Sequence, residues 1–193
     1  MIAKTYKQEI NRLDIESIYH ICESLLEMKK TAATIIAYQI IFDQRNKYDE
    51  KTFDVFEKWM YEYINDWWDC DDFMTHAFKH VLMIYPNKID RIKTWVTHKR
   101  FAVRRSAAVI LIMLVKKKLI EKSIIFEVCD LLMDDDHYLV QKGYGWLLKE
   151  ASIKYHDEVI NYLEINVLNM SRTAFRYALE KLAINEKERL MKI

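Results

Sequence analysis

Trp95-Val96-Thr97-His98-Lys99-Arg100-Phe101-Ala102-Val103-Arg104-Arg105 decides the fold, because the chain writes the pattern again as Leu132-Met133-Asp134-Asp135-Asp136-His137-Tyr138-Leu139-Val140-Gln141-Lys142. Each copy is an apolar helix end, a polar turn, an aromatic residue, a valine and two polar residues with at least one base, offset by 37 positions. A weaker third copy runs from Ile165 to Tyr177, where Arg172 and Arg176 open what reads as a final long helix. A helix pair recurring at such an interval marks a HEAT-like solenoid, in which each pair buries its apolar side on its neighbours. The repeat therefore predicts an all-α superhelix of HEAT-like helical repeats, a curved solenoid spanning residues 1–193 as a single domain. It also aligns Arg105, Lys142 and Arg176 along one concave wall.

Composition points the same way. Only two glycines and one proline occur in 193 residues, which leaves little turn chemistry for hairpins and no Gly-rich loop to cradle phosphates. Cys22, Cys70 and Cys129 are far apart with no CxxC spacing, which argues for reduced thiols and against a zinc or disulfide framework. The stretch Met1 to Lys7 lacks an apolar signal core and no apolar run nears the length of a membrane span, so a soluble, cytoplasmic protein is expected. The formal charge of +1 is unevenly spread. Lys88, Arg91, Lys93, Lys99, Arg100, Arg104 and Arg105 stand almost unopposed in sequence, whereas Asp66 to Asp72 and Asp134 to Asp136 are acidic blocks. If this chain binds nucleic acid, a basic stripe on one face must do so.

Periodicity places the other helices. Asp14 caps a run from Ile15 to Met28, a second helix covers Lys30 to Arg45, and Asp49 or Thr52 opens a third to about Ile64. A fourth runs through Asp72 to about Ile84, where Pro86 ends it, and Asn87 caps a short helix from Lys88 to Thr97.

Two tryptophan-bearing segments carry what chemistry there is. In Asp66-Trp67-Trp68-Asp69-Cys70-Asp71-Asp72, Trp68 and Asp72 are four residues apart and share one helical face, with His76 and His80 further along that stripe. The plain alternative is a helix start, since acids favour the positive end of the helix dipole and tryptophans are usually core. Asp72, His76 and His80 also have ligand chemistry, but no fourth ligand is apparent and no metal or other cofactor is expected. In the second segment Lys142 and Trp146 repeat the four-residue spacing, so both indoles can point into one groove. Both glycines, Gly143 and Gly145, fall in the helical turn before Trp146. Each costs about 1 kcal/mol relative to alanine inside a helix, which calls for close approach there, by a ligand or by a neighbouring helix.

These residues resemble the AlkD-like DNA alkylation repair family, HEAT-like repeat DNA glycosylases that release N3- and N7-alkylated purines. Trp67-Trp68-Asp69-Cys70-Asp71-Asp72 looks like the family's WWDxxD-type segment, and Phe101 to Ala108 like its arginine-pair helix. Val140-Gln141-Lys142-Gly143-Tyr144-Gly145-Trp146-Leu147-Leu148-Lys149-Glu150 looks like its VQKAxGWxLRE helix, and Ser171 to Leu182 like its SRxxxRxAxEKL close. The resemblance implies that Asp72 is the catalytic carboxylate, that Trp68 and Trp146 wall the cleft, and that Arg105 holds DNA backbone, with Arg104, Lys142, Arg172 and Arg176 as further DNA contacts. It implies a monomer acting on double-stranded DNA with alkylated bases, the lesion staying stacked while the backbone is gripped. The competing expectation is a non-catalytic HEAT-like repeat protein binding DNA or a protein partner. Burial of Asp72 in a structural hydrogen-bond network would favour that reading.

Overall fold

The computed structural model describes residues 6–193, and the reading of Met1 to Thr5 lies outside them. Every regular element among the described residues is helical. The helices are α1 (Lys7–Ile10), α2 (Ile15–Glu27), α3 (Thr31–Asp43), α4 (Lys51–Tyr63), α5 (Trp67–Phe73), α6 (Lys79–Ile84), α7 (Phe101–Lys116), α8 (Lys122–Leu131), α9 (Tyr138–Ala151), α10 (His156–Asn166), α11 (Arg172–Ala178) and α12 (Ile184–Leu190). None is long and apolar enough to cross a membrane. The chain divides into two compact units, Met1–Lys88 and Ile89–Ile193.

In the first unit two helix starts use the caps that the sequence calls for, and α1 is a short helix that it does not. Asp14 accepts the Ser17 N–H at 2.7 Å. Asp49 and Thr52 cap each other, the Thr52 N–H donating to Asp49 at 3.0 Å and the Asp49 N–H to the Thr52 hydroxyl at 2.9 Å. The core is aromatic: Phe56 packs on Trp59, Phe73 and Phe78 with ring centroids 5.1–5.5 Å apart, and Tyr38 stacks on Phe73 at 4.7 Å. Such contacts lock α4 against α5 and fix where α5 ends. The expected run from Asp72 to Ile84 is continuous but not uniform, since a π-helical turn, Met74–Phe78, separates α5 from α6. Its extra residue keeps Met74, Ala77 and Phe78 buried while His76 stays outside.

Two expectations change. Residues 86–97 form a long 3-10 helix, Pro86–Thr97, and not an α-helix from Lys88. The expected final long helix after Arg172 breaks twice: α11 gives way to a 3-10 turn, Leu179–Lys181, and Leu182 turns extended (φ −75°, ψ 161°) with its side chain buried. Glu186 accepts the Ala183 N–H at 3.0 Å and so restarts the helix as α12.

The second unit is built around α7 and α9. Most of α7 is buried, and α9 lies between it and α11. Both glycines are explained by that placement. A Cβ on Gly145 would lie 2.7 Å from the Ala174 carbonyl oxygen and 2.8 Å from the Tyr177 Cβ, and one on Gly143 would lie 3.3 Å from the Arg105 Cγ. The close approach is thus made by helices on both sides of α9, which decides the sequence ambiguity for packing.

Candidate functional site

The acidic block of the first unit does two different jobs. Asp66 is extended and accepts the Trp67 N–H at 2.7 Å. Asp69 is buried and accepts three backbone N–H groups, from Asn65 and Asp66 at 2.9 Å and from Cys70 at 2.8 Å. Burial raises the Asp69 pKa, and the three donors only partly offset it. These two acids are the helix start that the plain reading describes.

Asp72 is not part of that start. Its side chain is 34% exposed, and its carboxylate meets the His76 Nδ1 at 2.8 Å, on an imidazole that is itself 57% exposed. The same nitrogen lies 3.0 Å from the Asp72 carbonyl oxygen and 3.4 Å from the Thr75 hydroxyl. No buried structural network claims this carboxylate. Trp68, one turn earlier on α5, is half-buried and lines a cavity of about 210 Å³ together with Lys29, Thr34 and Tyr63. His76 and His80 both face the Phe42 ring, at 6.0 and 5.8 Å. No group of three or more His, Cys, Asp or Glu side chains able to hold a metal occurs among the described residues.

In the second unit Trp146 is half-buried, and its indole N–H donates to Glu150 Oε1 at 3.2 Å. Lys142 Nζ lies over two rings, 5.3 Å from Tyr138 and 5.7 Å from Tyr177, a position that presents its charge beside aromatic faces. Arg172 and Arg176 are both exposed on α11, Arg172 lying over Phe175 at 5.5 Å.

The expected basic stripe is largely spent inside the fold. Lys88 pairs with Glu50 at 3.3 Å, and Lys93 with Asp90 at 3.1 Å and Glu127 at 2.7 Å. Arg104 engages both Asp135 oxygens and donates to the carbonyls of His98 and Lys99 at 2.9 and 3.1 Å. Arg105 is only 5% exposed and donates to the Leu139 carbonyl, so it braces α7 beneath α9. Lys88, Lys93 and Arg104, which look unopposed in sequence, thus meet acids 3 to 38 positions away, among them the middle residue of the Asp134–Asp136 block. Of the cations expected on DNA, Lys142, Arg172 and Arg176 remain on the surface, half-buried in the case of Lys142.

Comparison with known proteins bears on what these arrangements serve. The model of the family described as DNA alkylation repair enzyme matches residues 1–182. The chain belongs to that family. Among solved structures it is similar to a predicted DNA alkylation repair enzyme from Enterococcus faecalis, with a TM-score of 0.82 at 16% identity, over 94% of this chain and 83% of that one. At that identity the likeness concerns the fold, which is an all-α helical repeat fold. No curated protein matches the sequence. Sequence reading missed one partner. Glu150 stands four residues after Trp146 just as Asp72 stands four after Trp68, a signal open to the same spacing argument that picked out Asp72. His76 lies on the stripe that the spacing predicts, and its pair is the Asp72 carboxylate.

Proposed function

We propose that this protein is a DNA glycosylase that hydrolyses the N-glycosidic bond of cationic N3- or N7-alkylated purines in duplex DNA. Beside family membership, the observation that carries the reading is the Asp72 carboxylate: half-exposed, on the same helix face as Trp68, and held only by an exposed imidazole. A purine alkylated at N3 or N7 already bears positive charge, so its glycosidic bond breaks without a general acid. What the reaction needs is an anion near the anomeric carbon as charge develops on the deoxyribose, and a water positioned to attack. A carboxylate supplies both, as in glycoside hydrolysis. Trp68 and Trp146 are the aromatic faces of this reading, each worth about 0.5–2 kcal/mol against a cationic base. Lys142, Arg172 and Arg176 neutralise phosphates, which positions the duplex without reading its sequence. Arg104 and Arg105 drop from that role, because their guanidinium groups serve the fold.

The test is release of free base from a duplex oligonucleotide carrying one 7-methylguanine. Asp72→Asn is expected to lower single-turnover release at least about a hundredfold while DNA affinity is kept. Undiminished release by that variant removes Asp72 from the chemistry. Absence of release by the native protein, with duplex binding intact, leaves a DNA-binding helical repeat in its place.

A further inference from the structure

Glu150 is the one buried acid of the second unit whose partners come from three different elements. Its side chain is 5% exposed. Lys181, from the 3-10 turn after α11, reaches its two oxygens at 2.9 and 2.8 Å, and Lys116, the last residue of α7, lies at 3.4 Å. The third partner is the Trp146 indole N–H at 3.2 Å. Burial raises the pKa of Glu150, but the Lys181 hydrogen bond, the field of Lys116 and the indole N–H outweigh it, so the carboxyl sits below its ordinary value of 4.5. A free indole on a helix surface has two χ angles to choose from, whereas this one has its single donor committed to an acceptor that two lysines hold in place.

We propose that Glu150 is a positioning residue which, through the indole N–H, fixes the plane of Trp146 for its contact with the lesion-bearing nucleotide. The inference rests on the role given to Trp146 under the proposed function, but the positioning is measurable without it. Two conservative variants separate reach from charge. Glu150→Gln keeps an amide oxygen at the same reach and loses the charge that Lys116 and Lys181 need. Glu150→Asp keeps the charge and withdraws the acceptor by one methylene.

If Glu150 positions the indole, Glu150→Gln releases 7-methylguanine within about threefold of the native rate, whereas Glu150→Asp loses roughly tenfold in single-turnover rate with duplex affinity unchanged. The melting temperatures should rank the other way, Glu150→Gln falling further than Glu150→Asp, because an ion-pair node depends on the charge. Release rates that follow the stability order overturn the proposal and leave Glu150 as a structural ion-pair centre. The Trp146 indole N–H resonance, assigned by its loss in Trp146→Phe, gives a readout without substrate. It should stay near its native position in Glu150→Gln and shift in Glu150→Asp, and an unmoved resonance in Glu150→Asp also overturns the proposal. If Trp146→Phe leaves release unchanged, the role of Trp146 in the reaction fails, and the resonance still decides whether Glu150 holds the ring.

Discussion

Helices α5 and α9 both place an acid four residues after a tryptophan, yet the two acids are housed in opposite ways. Asp72 leaves 34% of its side chain exposed against an imidazole that is 57% exposed, whereas Glu150 leaves 5% and is matched by two lysines. Charge already matched by two ammonium groups in a buried place has little field left for a passing cation. Charge matched by one solvent-screened imidazole keeps most of it. The same spacing therefore yields an acid that can act on a ligand in the first unit and an acid that can only act through its neighbours in the second.

The largest effects follow from exchanging these roles by mutation. Asp72→Asn should cost at least about a hundredfold in base release and shift the melting temperature little, because a half-exposed i, i+4 pair contributes about 0.5 kcal/mol or less. His76→Ala tests the other side of that pair. Release is expected to stay within about threefold of native, and a loss as large as that of Asp72→Asn would mean that the imidazole, and not an unencumbered carboxylate, is what the first unit contributes.

The glycines of α9 sharpen the contrast in packing. Gly145→Ala must push a Cβ into the backbone of α11 at 2.7 Å and is expected to destabilise by about 2–3 kcal/mol, measured by denaturant unfolding. Gly143→Ala meets the Arg105 side chain at 3.3 Å from Cγ and 3.4 Å from Nη1, a milder crowding that about 1 kcal/mol of gained helix propensity partly offsets, so it should cost less than Gly145→Ala. Equal effects at the two positions would contradict the helix packing on which the placement of Trp146 depends.

The cations divide in the same way as the acids. Arg176→Ala, which removes an exposed base, should weaken duplex binding and reduce the salt dependence of log K by about one phosphate contact. Arg104→Ala should lower the melting temperature and leave that slope alone, since its guanidinium is committed to Asp135 and two carbonyls. A shallower slope for Arg104→Ala would return it to the DNA surface.

How much of this was legible in the sequence depends on the distance over which each feature is determined. Helix starts at Asp14 and Asp49 are local, so spacing and side-chain chemistry sufficed. The basic stripe was not, because Arg104 finds Asp135 and Lys93 finds Glu127 only when one helix pair folds onto the next. Periodicity gave the repeat but not the break after Ala178, where a 3-10 turn and an extended Leu182 precede the helix that Glu186 restarts. Glu150 was visible as a letter in a motif, yet its meaning lies in Lys116 and Lys181, which no local pattern links to it.

The smallest predicted effect isolates the charge on Glu150. Its folded pKa is depressed below 4.5 by Lys181, Lys116 and the indole against the upward pull of burial, so its contribution to stability is fully present above that value and is lost as pH falls through the lower folded value. Below that range the native side chain is protonated and resembles the glutamine of Glu150→Gln. The gap in melting temperature between native protein and Glu150→Gln should therefore be constant from pH 7 down to about 5 and close as the pH falls below 4.5. Taking the difference between the two proteins cancels the other carboxyl groups that titrate in the same window. A gap that persists at low pH would mean that the glutamine fails for reasons of shape. The lysines would then no longer account for the depressed pKa, and with them would go the contrast between a carboxylate held for structure and one left open for chemistry.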